Sequence, residues 1–395
     1  MPVSDNFLWG VAISSHQNEG AAPAGDWAEA DRAERFPHAC GEGARFRDHF
    51  EQDLDLLAHD LGANTLRLSI EWARLEPEPG RWDEAEVAYL HRVFGAAKAR
   101  GLKLVVTLHH FTNPAWIHRL GFPSSWEGGR TVEAFARYAR YVAEEFGAQI
   151  DYYLTFNEPS NLLVGGYFAA KIPPFRWGPI ALFNAARGVA EAHRRAYEAI
   201  HEVRPGAMVS ISEYTGMLAL ATARWDYTPG RALALLFDKD RHGKPLHLDF
   251  IGLHYYGDVP LHEMGHYPLR HHLFGVSPEG FEAQLKAAWA AWKLPILIGE
   301  NGIATYNHEP RHDRWTAARY MAAHVRAMEA AMADGVPILG YLWWTLTDNY
   351  EWGTYHSRFG LYRVECQAGD YARQATPAVE VYRRIIAAHG VPEGL

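Results

Sequence analysis

Glu158 and Glu300 are the residues whose surroundings suit them best to chemistry. Glu158 sits in TFNEP at the end of the apolar run Tyr152–Asn157, and Glu300 sits in IGENG at the end of Pro295–Gly299. Pro159 stops strand pairing after the first, and Asn301-Gly302 turns the chain after the second. Two carboxyl groups flanking one cavity are what cleavage of a glycosidic bond needs: one to protonate the leaving oxygen, the other to act as base or nucleophile at the anomeric carbon. A glutamate taken singly is ordinarily a solvated loop residue or a helix cap. The chemical reading therefore requires a fold that brings positions 158 and 300 together. Arg67 adds to it. In Thr65–Ile70, Leu66, Leu68 and Ile70 alternate with Arg67 and Ser69, so Arg67 points away from the leucine side. A guanidinium turned inward needs carboxylate partners.

The elements that would position these groups alternate along the chain. Short apolar runs at Phe7–Ser14, Thr65–Ile70, Lys103–His109, Tyr152–Asn157, Met208–Ser212, Asp249–Tyr256, Pro295–Gly299 and Ile338–Thr345 read as strands. Between them lie amphipathic segments with helical spacing, such as Phe135, Tyr138, Val142 and Phe146 before Gly147. Strands alternating with helices pair in parallel through crossovers. Eight such units without a linker predict an α/β fold: a single-domain (β/α)8 TIM barrel over residues 1–395, with its active site at the C-terminal ends of the strands. Those ends carry polar residues: His109 and His110, Asn157 and Glu158, Glu213, His254 and Tyr256, and Glu300.

Composition removes other classes. The 395 residues hold 38 Lys+Arg against 47 Asp+Glu, a net charge of −9 with no basic block, which argues against nucleic acid or an anionic membrane as partner. No apolar run is long enough to span a bilayer. The opening MPVSDNFLWG lacks a basic segment followed by an apolar one, and two cysteines, Cys40 and Cys366, are too few for a disulfide framework; a cytoplasmic location is expected. Aromatic residues reach 13%, a supply of flat faces that sugars, bases or other aromatics could use. One competing motif remains. His262-Glu263-Met264-Gly265-His266 spells the H-E-x-x-H pattern of zinc proteases. That chemistry needs both histidines on one face of a stable helix. Pro260 before, Gly265 within and Pro268 after predict a loop, so no metal and no cofactor is expected.

Several motifs in one order carry a family resemblance. TFNEP and IGENG resemble the acid/base and nucleophile signatures of glycoside hydrolase family 1, the retaining β-glycosidases. SSHQNEG (14–20), RLSIEW (67–72), VTLHHF (106–111), WWTLTDNYEW (343–352) and RFGL (358–361) resemble further segments of that family along nearly the whole chain. The resemblance implies Glu300 as nucleophile and Glu158 as general acid/base, with Arg67 and Tyr256 contacting Glu300. It implies Asn157 at the sugar 2-hydroxyl, Gln17, His110, Glu351 and Trp352 at the outer hydroxyls, and Trp344 as the platform beneath the ring. Glu158 would face a second carboxylate in a half-buried cleft, which predicts a raised pKa.

The implied activity is an exo-acting, retaining hydrolysis of terminal β-D-glucosyl residues from small β-glycosides or oligosaccharides. β-Galactosidase, β-fucosidase and β-mannosidase activities are alternatives on the same site. A catalytically inactive sugar-binding barrel is the alternative of another class, and retention of both glutamates speaks against it. The sequence departs from the family at Phe111, where tryptophan is usual, and at His254, where asparagine is usual. Glu213 is a third carboxylate expected near the mouth in a structural or outer-subsite role. Glu351 stands where relatives acting on 6-phosphorylated glycosides carry serine, so an unphosphorylated sugar is expected. The presence of Glu158 separates the chain from the thioglucosidase branch, which replaces that residue.

Overall fold

Eight parallel strands close into one barrel in the computed structural model, which describes residues 6–120, 125–215, 247–260, 263 and 268–395. They are β1 (Leu8–Ala12), β2 (Thr65–Ser69), β3 (Lys103–His109), β4 (Tyr152–Asn157), β5 (Met208–Tyr214), β6 (Ile251–Tyr255), β7 (Ile296–Asn301) and β8 (Ile338–Trp344). Each pairs in parallel with the next, and β8 returns to β1 through Leu8↔Gly340 to Ala12↔Trp344. The expected strands are all present. β3 and β4 begin and end where the apolar runs do, while β1 is shorter, and β5 and β7 run on by two residues into their polar ends.

Alternation along the strands divides the core into two layers. Leu8, Val105, Leu154, Phe250, Leu297 and Leu342 fill the barrel interior, as the bulky branched side chains of such barrels do. Leu66 and Leu68 face outward into the larger layer, with Leu90, Val93 and Phe94 of the helix Glu84–Ala99. Asp83 caps that helix by accepting from Glu86 N at 2.9 Å. The stripe Val132, Phe135, Tyr138, Val142 and Phe146 buries the helix Gly129–Phe146 on the barrel.

Beyond the eight units come elements that the strand count does not contain. Thr305–Tyr306 pairs with Ser357–Arg358, and Tyr362–Glu365 pairs with Asp370–Ala375. The helix Pro377–Ala388 then supplies the helix of the eighth unit and ends the fold. Tyr382 of that helix donates to Gly10 O at 2.6 Å and accepts from Gly10 N at 3.1 Å, which ties the end of the chain to β1. Among the described residues no helix is long and apolar enough to cross a membrane.

The interior layer carries much of the packing energy. Leu154→Ala removes a fully buried side chain from it and is expected to cost about 2–5 kcal/mol, read as a lower unfolding midpoint. Phe183→Ala, at a site 56% exposed, is expected to change stability by no more than about 0.5 kcal/mol. Equal effects of the two changes would contradict the two-layer packing.

Candidate active site

The strand ends deliver the side chains to one cavity. Glu158 follows Asn157 at the end of β4 in the left-handed region, φ 42°, a costly conformation for a residue with a Cβ. It is held there from both sides: its N–H donates to Ser212 O at 2.7 Å, and its carbonyl accepts from Asn161 N at 2.9 Å as Pro159 opens the helix Pro159–Leu163. Glu300 lies within β7, where the register slips. Leu253 pairs with Ile298 but His254 pairs with Glu300, so Gly299 is an extra residue on β7, and such a bulge re-aims the side chain that follows. Gly299 also makes room: a Cβ there would stand 3.0 Å from His254 Nε2.

Arg67, on the interior side of β2 and fully buried, joins these ends. Its Nη1 donates to Glu300 Oε1 and to Gly299 O at 3.1 Å; Nη2 donates to Asn157 Oδ1 at 2.6 Å; Nε donates to Thr107 Oγ1 at 3.2 Å. Tyr256 Oη donates to Glu300 Oε2. Both oxygens of Glu300 are thus occupied, and the residue is 3% exposed.

Glu158 is 7% exposed, and its Oε2 accepts from Asn161 Nδ2 at 2.6 Å. Burial pushes its pKa up to about 7, against the pull of Asn161 and Arg67. The expected rise is present, and of its two expected grounds burial carries it, while the facing carboxylate does not. One oxygen each of Glu158 and Glu300 and one ring nitrogen of His254 lie within 4.8 Å of one another.

Aromatic rings wall the cavity. Trp344 Nε1 donates to Glu351 Oε1 at 2.9 Å, and burial holds that carboxyl well above the usual range. The His110 ring lies near-parallel to Trp344 and to Trp352, with centroids 6.0 and 5.8 Å away. Its buried Nδ1 has no protein partner among the described residues. Phe111 sets its ring edge-on to Trp352 at 5.0 Å, without the indole N–H that a tryptophan would bring.

Of the ten residues singled out in the sequence, Asn157, Glu158, Glu300, Tyr256, His110, Trp344, Glu351 and Trp352 line this cavity. Arg67 lies behind its floor, and Gln17 is fully buried with Nε2 donating to Tyr350 O at 2.8 Å. Glu213 turns away: its Oε2 accepts from Ser160 Oγ at 2.7 Å and its Oε1 from Tyr214 N at 2.9 Å, which braces the turn after Glu158. Asn161, Thr107 and Ser212 belong to the constellation and escaped the sequence reading, although Thr107 and Ser212 are polar residues inside apolar strands, which is a signal in itself. His262 and His266 of the H-E-x-x-H pattern lie outside the described residues. Glu263 is buried and accepts from Arg270 Nε at 3.0 Å.

A closed (β/α)8 barrel with two carboxyl groups across one cavity at the C-terminal ends of its strands has the build of a glycoside hydrolase. The family described as glycosyl hydrolase family 1 matches residues 2–223 and 263–391. A β-galactosidase of Sulfolobus acidocaldarius is 27% identical over 98% of this chain and 96% of its own length. β-Glucosidase A of Thermotoga maritima is 26% identical over 91% and 93%. The solved β-glycosidase from Pyrococcus horikoshii superposes with a TM-score of 0.82 at 28% identity, covering all of this chain and 97% of that one. The chain belongs to glycosyl hydrolase family 1 and is a β-glycosidase.

If burial raises Glu158, its carboxyl carbon in labelled protein titrates well above the ordinary value of about 4.3. Asn161→Ala removes a donor to the charged form and is expected to raise the midpoint further. A wild-type midpoint in the ordinary range would contradict the burial account.

Proposed function

We propose that this β-glycosidase is a retaining, exo-acting enzyme that removes terminal β-D-glucosyl residues from small, unphosphorylated β-glycosides by double displacement. The observation that carries the reading is the spacing of Glu158 and Glu300, with one oxygen of each inside a 4.8 Å cluster. Retaining enzymes place the two carboxyls about 5–5.5 Å apart, whereas inverting enzymes leave a wider gap for a water.

In the first step Glu300, ionised and oriented by Arg67 and Tyr256, attacks the anomeric carbon. Glu158 gives its proton to the departing glycosidic oxygen, and a glycosyl ester forms on Glu300. In the second step Glu158, now a carboxylate, takes a proton from water, which attacks the anomeric carbon and frees Glu300. A pKa pushed to about 7 suits both duties. Because the first step needs the protonated form, kcat/KM is expected to fall as pH rises through that value. Asn157 is assigned to the 2-hydroxyl, Trp344 to the ring face, and Gln17, His110, Glu351 and Trp352 to the outer hydroxyls. The unpartnered Nδ1 of His110 supports this assignment, as does the place of Glu351 on the cavity wall, where Trp344 Nε1 orients its carboxyl. We take the 395 residues as one catalytic unit working in the cytoplasm, a placement supported by the two unbridged cysteines. A second reading, on β-galactosides, is favoured by the relatives that carry that name.

Two measurements test these roles. Glu300→Ala should abolish turnover of nitrophenyl β-glucoside while the sugar still binds. Glu158→Ala should keep the first step on that substrate, and azide should restore turnover; a Glu300→Ala enzyme of normal rate, or a Glu158→Ala enzyme indifferent to azide, would overturn the corresponding assignment. A panel of nitrophenyl glycosides compared by kcat/KM should put the glucoside first, and a galactoside in first place would transfer the assignment to the second reading.

A further inference from the structure

The reaction as written gives no task to the ring that stands between its two carboxylates. His254 is fully buried, with Nε2 at 3.0 Å from Arg67 Nη1, and Nδ1 at 2.7 Å from Glu158 Oε1 and 3.4 Å from Glu300 Oε2. The two hydrogens of Nη1 also serve Glu300 Oε1 and Gly299 O, so the contact with His254 shares one of them; an N–H on Nε2 would be aimed at the cation, and a lone pair there suits the contact. The single ring proton is then on Nδ1. A second proton would face the N–H of Arg67, and burial pushes the imidazole down to about 3, so the ring is neutral. Glu158, His254 and Glu300 are all metal-ligand types, but this tautomer leaves Nδ1 no lone pair to give a cation.

Nδ1–H therefore donates to Glu158 Oε1, while Asn161 donates to Oε2. Both oxygens accept an N–H, and donors aimed at a carboxyl favour its ionised form. Of the other groups around the gap, Arg67 pulls the same way through its charge, without a hydrogen bond to Glu158. From β2 and β7, Arg67 and Glu300 bear opposite charges and are paired with each other. His110 at the end of β3 is held neutral by burial, and burial raises the hydroxyls of Tyr214 and Tyr256. Glu213 of β5 is pushed up to about 8, but its oxygens are taken by Ser160 and Tyr214. Glu351 beyond β8 is raised well above the usual range, and Lys171 lies on the cavity wall.

We propose that His254 is a positioning residue for the reaction: locked in one tautomer by Arg67, it fixes the Glu158 carboxyl and favours its ionised form, which tunes this site to aryl β-glycosides, whose leaving groups need little protonation. The inference rests on the assignment of Glu158 as acid/base. Asparagine, usual here in the family, can place an N–H where Nδ1 lies but is too short to reach Arg67 as Nε2 does. Histidine spans both.

The test compares His254→Phe, which keeps a flat ring without the N–H, with His254→Asn, which keeps an N–H near the Nδ1 position. With phenyl β-glucoside, His254→Phe is expected to move the basic limb of kcat/KM up by about one pH unit, the size of one hydrogen bond to a charged group. It should also narrow the preference for phenyl over alkyl glucosides, and His254→Asn should restore the wild-type limb. A purely structural role would lower the rate at every pH without moving the limb. An unmoved limb in His254→Phe, or equal shifts in both variants, would overturn the proposal. If His254→Phe does not fold, nitrogen NMR of the wild-type ring decides. A neutral Nδ1–H form across the range in which Glu158 titrates supports the proposal, and an Nε2–H form, or a ring that titrates there, ends it. Azide rescue of Glu158→Ala alongside an unmoved limb would reject His254 alone, whereas absent rescue would reject the acid/base assignment itself.

Discussion

One buried guanidinium holds this active site together. Arg67 reaches Glu300, Asn157, Thr107 and His254 from inside the barrel, and these groups come from strands that are distant in sequence. A buried positive charge is tolerable only when paired and hydrogen-bonded on every side, and here each nitrogen has a partner. The constraint works in both directions: the strands must close at the right register to satisfy the arginine, and the arginine then fixes Glu300 and Asn157 relative to each other.

The same burial that makes Arg67 demanding sets the chemistry of its neighbours. Loss of water lifts Glu158 to about 7, while Glu300 keeps two donors on its oxygens. In the proposed mechanism two carboxyls of one residue type take different duties through their surroundings alone. His254 links the two halves, since it accepts from the partner of Glu300 and donates to Glu158. Glu158 is thus poised between opposing influences: burial favours the acid, and the N–H groups of Asn161 and His254 favour the base. A residue proposed to serve as both in one catalytic cycle profits from that balance.

Much of this was legible in the sequence, for physical reasons. Strands buried on both faces read as apolar runs, so β3 and β4 were bounded to the residue, and the polar side chains interrupting those runs marked the site. Arg67 declared itself by alternation with leucines. What escaped depends on register and distance. The slip at Gly299 that sets His254 beside Glu300 has no signature in a period-two pattern. Asn161 is an ordinary helix residue until its proximity to Glu158 is known, and which of the two expected grounds raises Glu158, burial rather than the facing carboxylate, depends on distances. The closing helix Pro377–Ala388 completes the eighth unit, but it is separated from β8 by the segment holding Ser357–Arg358, Tyr362–Glu365 and Asp370–Ala375, so it does not follow its strand as directly as the other helices do.

The central claim is that Arg67 and the barrel hold Glu158 and Glu300 close enough for direct attack by Glu300 on the anomeric carbon. Mass spectrometry of the enzyme after reaction with an activated fluorinated glucoside, whose second step is slow, tests it most directly. The account predicts a stable sugar ester on the peptide that contains Glu300. A sugar on any other residue, or turnover that passes through no covalent adduct, would contradict it.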